Sequence, residues 1–194
     1  MVTRLPGLAR LQDICAAFYA GGCSRDEARA AVIDVIAGQL RCSRVSVWRF
    51  DGTPGALRLL CLASTVTGAE LVTSERSLLE AEYRDYFDGL VRTGMYVAND
   101  TMHDPHLQAM HENYLLPSGV LSMLDAAFTV NGRAYGTVCC EQTDRQREWR
   151  VGEIRDLRAL VAKLALLMAA AGDEALWASP SRPMTPIFRQ PPEP

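Results

Sequence analysis

Lysine is almost missing from this chain: Lys163 is the only one among 20 basic residues, and the others are arginine. We read that bias as codon usage. The 23 acidic residues outnumber the basic ones, giving a formal net charge of −3 and an isoelectric point near 5.6. No basic footprint argues for nucleic acid. No apolar run approaches the ~18–20 residues that span a bilayer, so no membrane partner is expected. A targeting core is lacking too, since Arg4 and Pro6 precede a helical stretch interrupted by polar residues. The expectation is a soluble, cytoplasmic protein. Cys15, Cys23, Cys42, Cys61, Cys139 and Cys140 form no C-x-x-C pair, so zinc and thioredoxin-like chemistry lack their usual spacing. In a reducing compartment these read as buried thiols.

What is present suits one core, with 48% apolar content over 194 residues. Leu8, Leu11, Cys15 and Phe18 share a helical stripe that Gly21 and Gly22 end. Ser24 caps a second helix, and Glu27 three residues on completes a capping box. Arg44 to Phe50 alternates as a strand, Asp51 to Gly55 is turn chemistry, and Leu57 to Ser64 returns. Residues 65–80 show no period. Glu82 to Thr93 reads as a helix with Tyr83, Tyr86, Phe87 and Leu90 on one face, and Met95 to Asp100 as a short strand. Pro105 opens a short helix through Tyr114.

The most informative stretch runs from Leu116 to Glu153. Two apolar runs flank Asn131-Gly132, the dipeptide best suited to a type I′ hairpin turn. The runs are too apolar for half-exposed strands, which predicts a central hairpin covered on both faces. A charged loop with Trp149 and a helix from about Gly152 to Ala171 follow. The predicted order α-α-β-β-α-β-α-β-β-α puts long crossovers inside a hairpin-rich sheet, which is an α+β fold.

The stretch "SGVLSMLDAAFTVNGRAYGTVCCE", then an Arg-x-Trp segment and a glutamate before the closing helix, resembles the end of a GAF domain. The resemblance is closest to GAF domains of bacterial signalling sensors and covers about residues 24–170. It implies a GAF/PAS-like, mostly antiparallel sheet with helices on one face. A ligand pocket would form on the other face, beneath crossover segments 65–117. Residues 1–23 are expected as an N-terminal helix, 24–171 as the GAF-like domain, and 172–194 as a proline-rich tail holding six of the ten prolines. Pro180, Pro183 and Pro186 recur every third residue, on one edge of a polyproline II helix. Met184, Ile187 and Phe188 are the expected anchors of that tail.

GAF-fold methionine sulfoxide reductases use pocket cysteines, yet no cysteine lies between Cys61 and Cys139. Cys139 and Cys140 are adjacent on a strand and point to opposite faces, so they do not suit a nucleophile and its resolving partner. Bilin-binding members usually carry a cysteine on the pocket helix; here that region offers only His103, His106 and His111. The cyclic-nucleotide Asn-Lys-Phe-Asp-Glu motif is absent, because Lys163 lies on the closing helix. The histidines lack the i, i+4 spacing of a zinc site. No catalytic or metal-ligating set is expected, and the protein is not expected to be an enzyme.

The ligand-binding candidates are Tyr86, Tyr96, Met110, Tyr114, Met123 and Asp125, with Trp48 nearby. Aromatic and Met-lined concavities with a few polar groups suit small organic ligands; the same residues also suit a closed core. Asp125 sits in an apolar strand, where it would meet a ligand or accept backbone N–H groups. Glu141 and Asp144 are expected to pair with Arg145, Arg147 or Arg150 around Trp149. On the closing helix, Ile154, Leu157, Val161, Leu164 and Met168 follow 3-4 spacing. That stripe reads either as packing on the sheet or as a dimer seam.

The functional expectation is a small-molecule-sensing regulatory protein of bacterial signal transduction. It would bind a small organic ligand as a homodimer. Outside 24–170 only a helix and the tail remain, so a separate, unidentified signalling partner would carry the output. The alternatives are a small GAF-fold enzyme, such as a free methionine sulfoxide reductase, or a dimerisation module that binds nothing.

Overall fold

A computed structural model describes residues 5–66, 77–130, 132–172 and 175–178. Helix α1 (Pro6–Tyr19) and helix α2 (Arg25–Leu40) come first. The predicted capping box starts α2: Glu27 N–H donates to Ser24 Oγ at 3.2 Å, and Ser24 N–H donates to Glu27 Oε2 at 2.8 Å. Strands β1 (Arg44–Asp51) and β2 (Arg58–Val66) follow, then β3 (Ser77–Leu79), α3 (Arg84–Thr93) and β4 (Met95–Ala98). The second crossover winds as a 3-10 turn (Pro105–Met110), a π turn (His111–Leu115) and the single-turn α4 (Leu116–Ser118). Strands β5 (Ser122–Val130) and β6 (Arg133–Gln142) form the hairpin, α5 (Val151–Ala171) closes the domain, and a 3-10 turn (Ala175–Trp177) comes after it.

The six strands form one sheet in the order β3-β2-β1-β6-β5-β4, with every pairing antiparallel. The β5–β6 hairpin is thus central, and both its faces are covered, as its apolar strands require. Val130 pairs with Arg133, and Gly132 takes φ +76°, the positive value such a turn needs; Asn131 lies outside the described residues. β3 was not legible in the sequence, because three residues are too few to show a period. Residues 67–76 and 179–194, including the predicted tail anchors, also lie outside the described residues.

On one face α2 and α5 cover Val45, Val47, Leu124, Ala126, Val138 and Cys140, and α1 packs against these two helices. Gly7 lets α1 approach closely: a Cβ there would sit 2.9 Å from Leu160 and 3.1 Å from Val35. The α5 stripe belongs to this core. Leu157, Val161, Leu164 and Met168 are buried within the chain and Ile154 is partly buried, so of the two readings the stripe takes packing on the sheet. None of the described helices is long and apolar enough to cross a membrane. The crossovers β3–α3 and β4–β5 cover the other face, and the candidate site lies there.

Candidate functional site

Strand alternation decides what the crossover face presents. Met123 and Asp125 of β5 and Cys139 and Glu141 of β6 point to it, while Cys140 points to the helices, as expected for adjacent strand residues. Above them α3 brings Tyr86, Phe87 and Leu90, and the irregular turn brings Leu107, Met110 and Tyr114. Tyr86, Tyr96, Met110, Tyr114 and Met123 therefore share one buried cluster, and Asp125 is bonded into it. The rings pack edge-on or tilted: Tyr86 lies 5.1 Å from Tyr96, and Trp48 6.3 Å from Tyr114.

Two carboxyl groups sit beneath these rings. The Tyr86 hydroxyl donates to Asp125 Oδ2 at 2.7 Å, and the Cys139 thiol adjoins the same carboxyl. Asp125 Oδ1 is buried and makes no hydrogen bond of acceptable geometry. Burial pushes the Asp125 carboxyl up to about 8, against the Tyr86 bond that favours its ionised form. It is thus mostly protonated at neutral pH. Its partner is thus a tyrosine hydroxyl, where backbone N–H groups of the crossover were the expected alternative to a ligand. Burial likewise pushes the Tyr86 hydroxyl and the Cys139 thiol well above their ordinary values.

Glu141 is the second carboxyl, with no exposed surface. It accepts from the Tyr114 hydroxyl at 2.6 Å and pairs with Arg44 across the β1–β6 ladder. That corrects the expected pairing with the 145–150 arginines: Glu141 faces the crossover, while those arginines lie in the loop before α5. Asp144 does pair with Arg145, at 3.3 Å. Arg147 pairs with Glu153 and stacks over Trp149 at 4.3 Å. Arg44 was missed because its partner is 97 residues away.

A cleft of about 900 Å³ opens at the hairpin end of the same face, between α3, the β1–β2 turn and the β5–β6 turn. Phe50, Leu57, Phe87, Val91, Ala127 and Ala134 line it with Asp88, Arg92 and Arg133. Phe87 belongs to both cleft and cluster, packing 5.8 Å from Tyr86 and 6.2 Å from Phe50. No spacing pattern signals this opening, which exists only where two turns and one helix end meet.

The histidines make local bonds. His103 Nδ1 lies 2.8 Å from Asp100, His111 Nε2 lies 2.9 Å from the Thr101 carbonyl, and the His106 N–H donates to Asp104. Among the described residues no group of three or more His, Cys, Asp or Glu is placed to hold a metal ion.

The family model described as GAF domain matches residues 24–168. No curated protein matches the chain. Among solved structures, a phycocyanobilin-bound GAF domain from a cyanobacterial phytochrome superposes with a TM-score of 0.64 at 14% identity, covering 84% of this chain and 94% of that one. The blue-light absorbing form of the Thermosynechococcus elongatus PixJ GAF domain gives 0.62 at 19%, covering 89% and 92%. The GAF domain of Acinetobacter phosphoenolpyruvate-protein phosphotransferase gives 0.62 at 17%, covering 89% and 96%. These likenesses establish the fold. The residues here do not fit a bilin held on a pocket cysteine. The turn from Pro105 to Ser118 has none, and the thiols of this face, Cys61 and Cys139, are buried in the sheet.

Proposed function

The chain belongs to the GAF family, and from that premise we propose that it is a small-molecule-sensing regulatory domain of bacterial signal transduction. It acts in the cytoplasm, as a homodimer, through a separate partner protein, and it binds without catalysing. The ligand site comprises Tyr86, Tyr96, Met110, Tyr114, Met123 and Asp125. One observation carries this reading: a fully buried carboxyl, Asp125, keeps one oxygen unbonded inside an aromatic and Met-rich cluster. Leaving a buried polar group unmatched costs about 1–3 kcal/mol, which a ligand group would recover. Because the carboxyl is mostly neutral near pH 7, the complementary group is a hydrogen-bond acceptor on a small, partly apolar molecule.

The cleft is the proposed entrance, with Phe87 as the ring a ligand moves to reach Tyr86 and Asp125. The π turn at His111–Leu115 supports a yielding cover, since such turns are rare and are often found at functional sites. The second copy is assigned to the outward side of α5, where Leu166 is 67% exposed. The bound ligand should raise stability by about 2.7 kcal/mol at a hundredfold excess over its Kd. A thermal-shift screen of metabolites tests this, with Met123→Trp as the control. We expect a hit whose shift disappears in that variant. A full response from a folded Met123→Trp protein would put the site elsewhere.

A further inference from the structure

Residues just past α5 are bound as a peptide would be. Gly172, at φ +62°, ends the helix. The turn at Ala175–Trp177 then seats Leu176 and Trp177 with no exposed surface. Among the described residues no strand ladder includes this segment. Arginines hold its main chain instead: Arg29 of α2 donates from Nε to the Leu176 carbonyl at 2.9 Å and from Nη2 to the Ala178 carbonyl at 2.6 Å. Arg49 of β1 donates to the Trp177 carbonyl at 3.3 Å. Three consecutive carbonyls are thus captured by two guanidinium groups.

The indole has a matching seat. It packs on Phe128 at 5.4 Å, and its Nε1–H donates to the Trp48 carbonyl at 2.9 Å. Gly136 forms the floor, where a Cβ would come within 2.5 Å of the indole nitrogen. Trp48 faces both ways. Its carbonyl holds Trp177, while its ring lies against Tyr114 in the crossover-face cluster. The β1–β2 register also shifts at Val47/Trp48, so this carbonyl sits where the ladder is irregular.

We propose that Ala175–Ala178 is a detachable plug, docked in its own chain, and that the groove beneath it is a recognition surface for a Leu-Trp peptide. A shift of Tyr114 moves Trp48 and with it the acceptor that holds the plug. That coupling rests on the sensing reading above; the plug and its groove do not. Release is feasible because Arg29 regains water when the segment that covers it leaves. The cluster's state is thereby passed to the chain beyond residue 178.

The test uses the full chain and a fluorescein-labelled peptide of residues 172–180. In the wild type the groove is occupied, which weakens apparent affinity by the fraction of time it is free. We expect Trp177→Ala protein to bind the peptide at least about tenfold more tightly than wild type does, and a peptide with Trp177 replaced by Ala to bind neither. Equal binding to both proteins, or to neither, overturns the groove. Gly136→Ala protein should bind no peptide, and undiminished binding there also overturns it. A wild-type dimer that Trp177→Ala dissolves would put the plug in the second copy's groove and overturn the in-chain assignment.

If Trp177→Ala does not fold, hydrogen exchange on the wild type decides. Amides of 175–178 should exchange at least about a hundredfold faster than those of β6, as expected of a locally opening unit. Exchange of both in one step would make the segment fixed core and sink the proposal. Tyr114→Leu should speed exchange at 175–178 above its effect on β6; a uniform change overturns the coupling through Trp48. Neither arm adds a metabolite, so failure of the ligand screen is read separately.

Discussion

The Tyr86 hydroxyl and the Asp125 carboxyl meet at 2.7 Å with both side chains buried. The pair joins α3 to the central strand β5 across the crossover face. One tyrosine bond does not offset the loss of water around a carboxylate, so the acid holds its proton up to about pH 8. That gives the site a neutral donor in a place where sequence alone suggests a charge.

Asp125 should therefore leave a signature in stability against pH. Its native value of about 8 lies above the unpaired 3.8. Between these values the native state binds one proton more than the unfolded state. Stability falls as pH rises through that window, by up to about 1.4 kcal/mol per unit from this group. Asparagine cannot ionise, so Asp125→Asn should flatten the profile and gain on the wild type toward pH 8. Chemical denaturation at several pH values measures this. Parallel profiles would contradict the buried neutral acid.

Tyr114→Phe should lower stability by about 1–3 kcal/mol, because Glu141 keeps its burial and loses a donor. The ring stays against Trp48, so packing is retained. Urea unfolding monitored by circular dichroism provides the number, and an unchanged midpoint would count against the Tyr114–Glu141 bond.

The helix α5 offers a contrast between neighbours. Leu164 is fully buried against the sheet, so Leu164→Glu should unfold the domain and not simply separate two copies. Leu166 faces outward, and Leu166→Glu should leave the fold intact while dissolving the proposed homodimer. Light scattering at tens of micromolar checks both. A monomeric wild type at that concentration would end the homodimer proposal.

No thiol-dependent reduction of methionine sulfoxide is expected. Cys61 and Cys139 are buried, and burial holds the Cys139 thiol well above the range in which it would form a thiolate at neutral pH. Turnover with dithiothreitol that disappears in Cys139→Ser would show the opposite.

Local signals were legible in the chain itself. The capping box of Ser24 and Glu27, the hairpin around Gly132, the α3 face with Tyr86 and Phe87, and the opposed directions of Cys139 and Cys140 all follow from spacing within a few residues. The candidate residues from Tyr86 to Asp125 were also readable as a group, through the GAF resemblance. Tertiary structure alone decided who meets whom. Glu141 pairs with Arg44 instead of the nearer arginines, the α5 stripe turns inward, and Trp177 returns to the floor at Gly136 and to Trp48, 129 residues away from it in the chain. Periodicity tells which face of an element avoids water, because that depends on neighbours three, four or two residues apart. It does not tell what covers that face, because long-range partners are selected by shape and unmatched hydrogen bonds, which leave no spacing in the sequence.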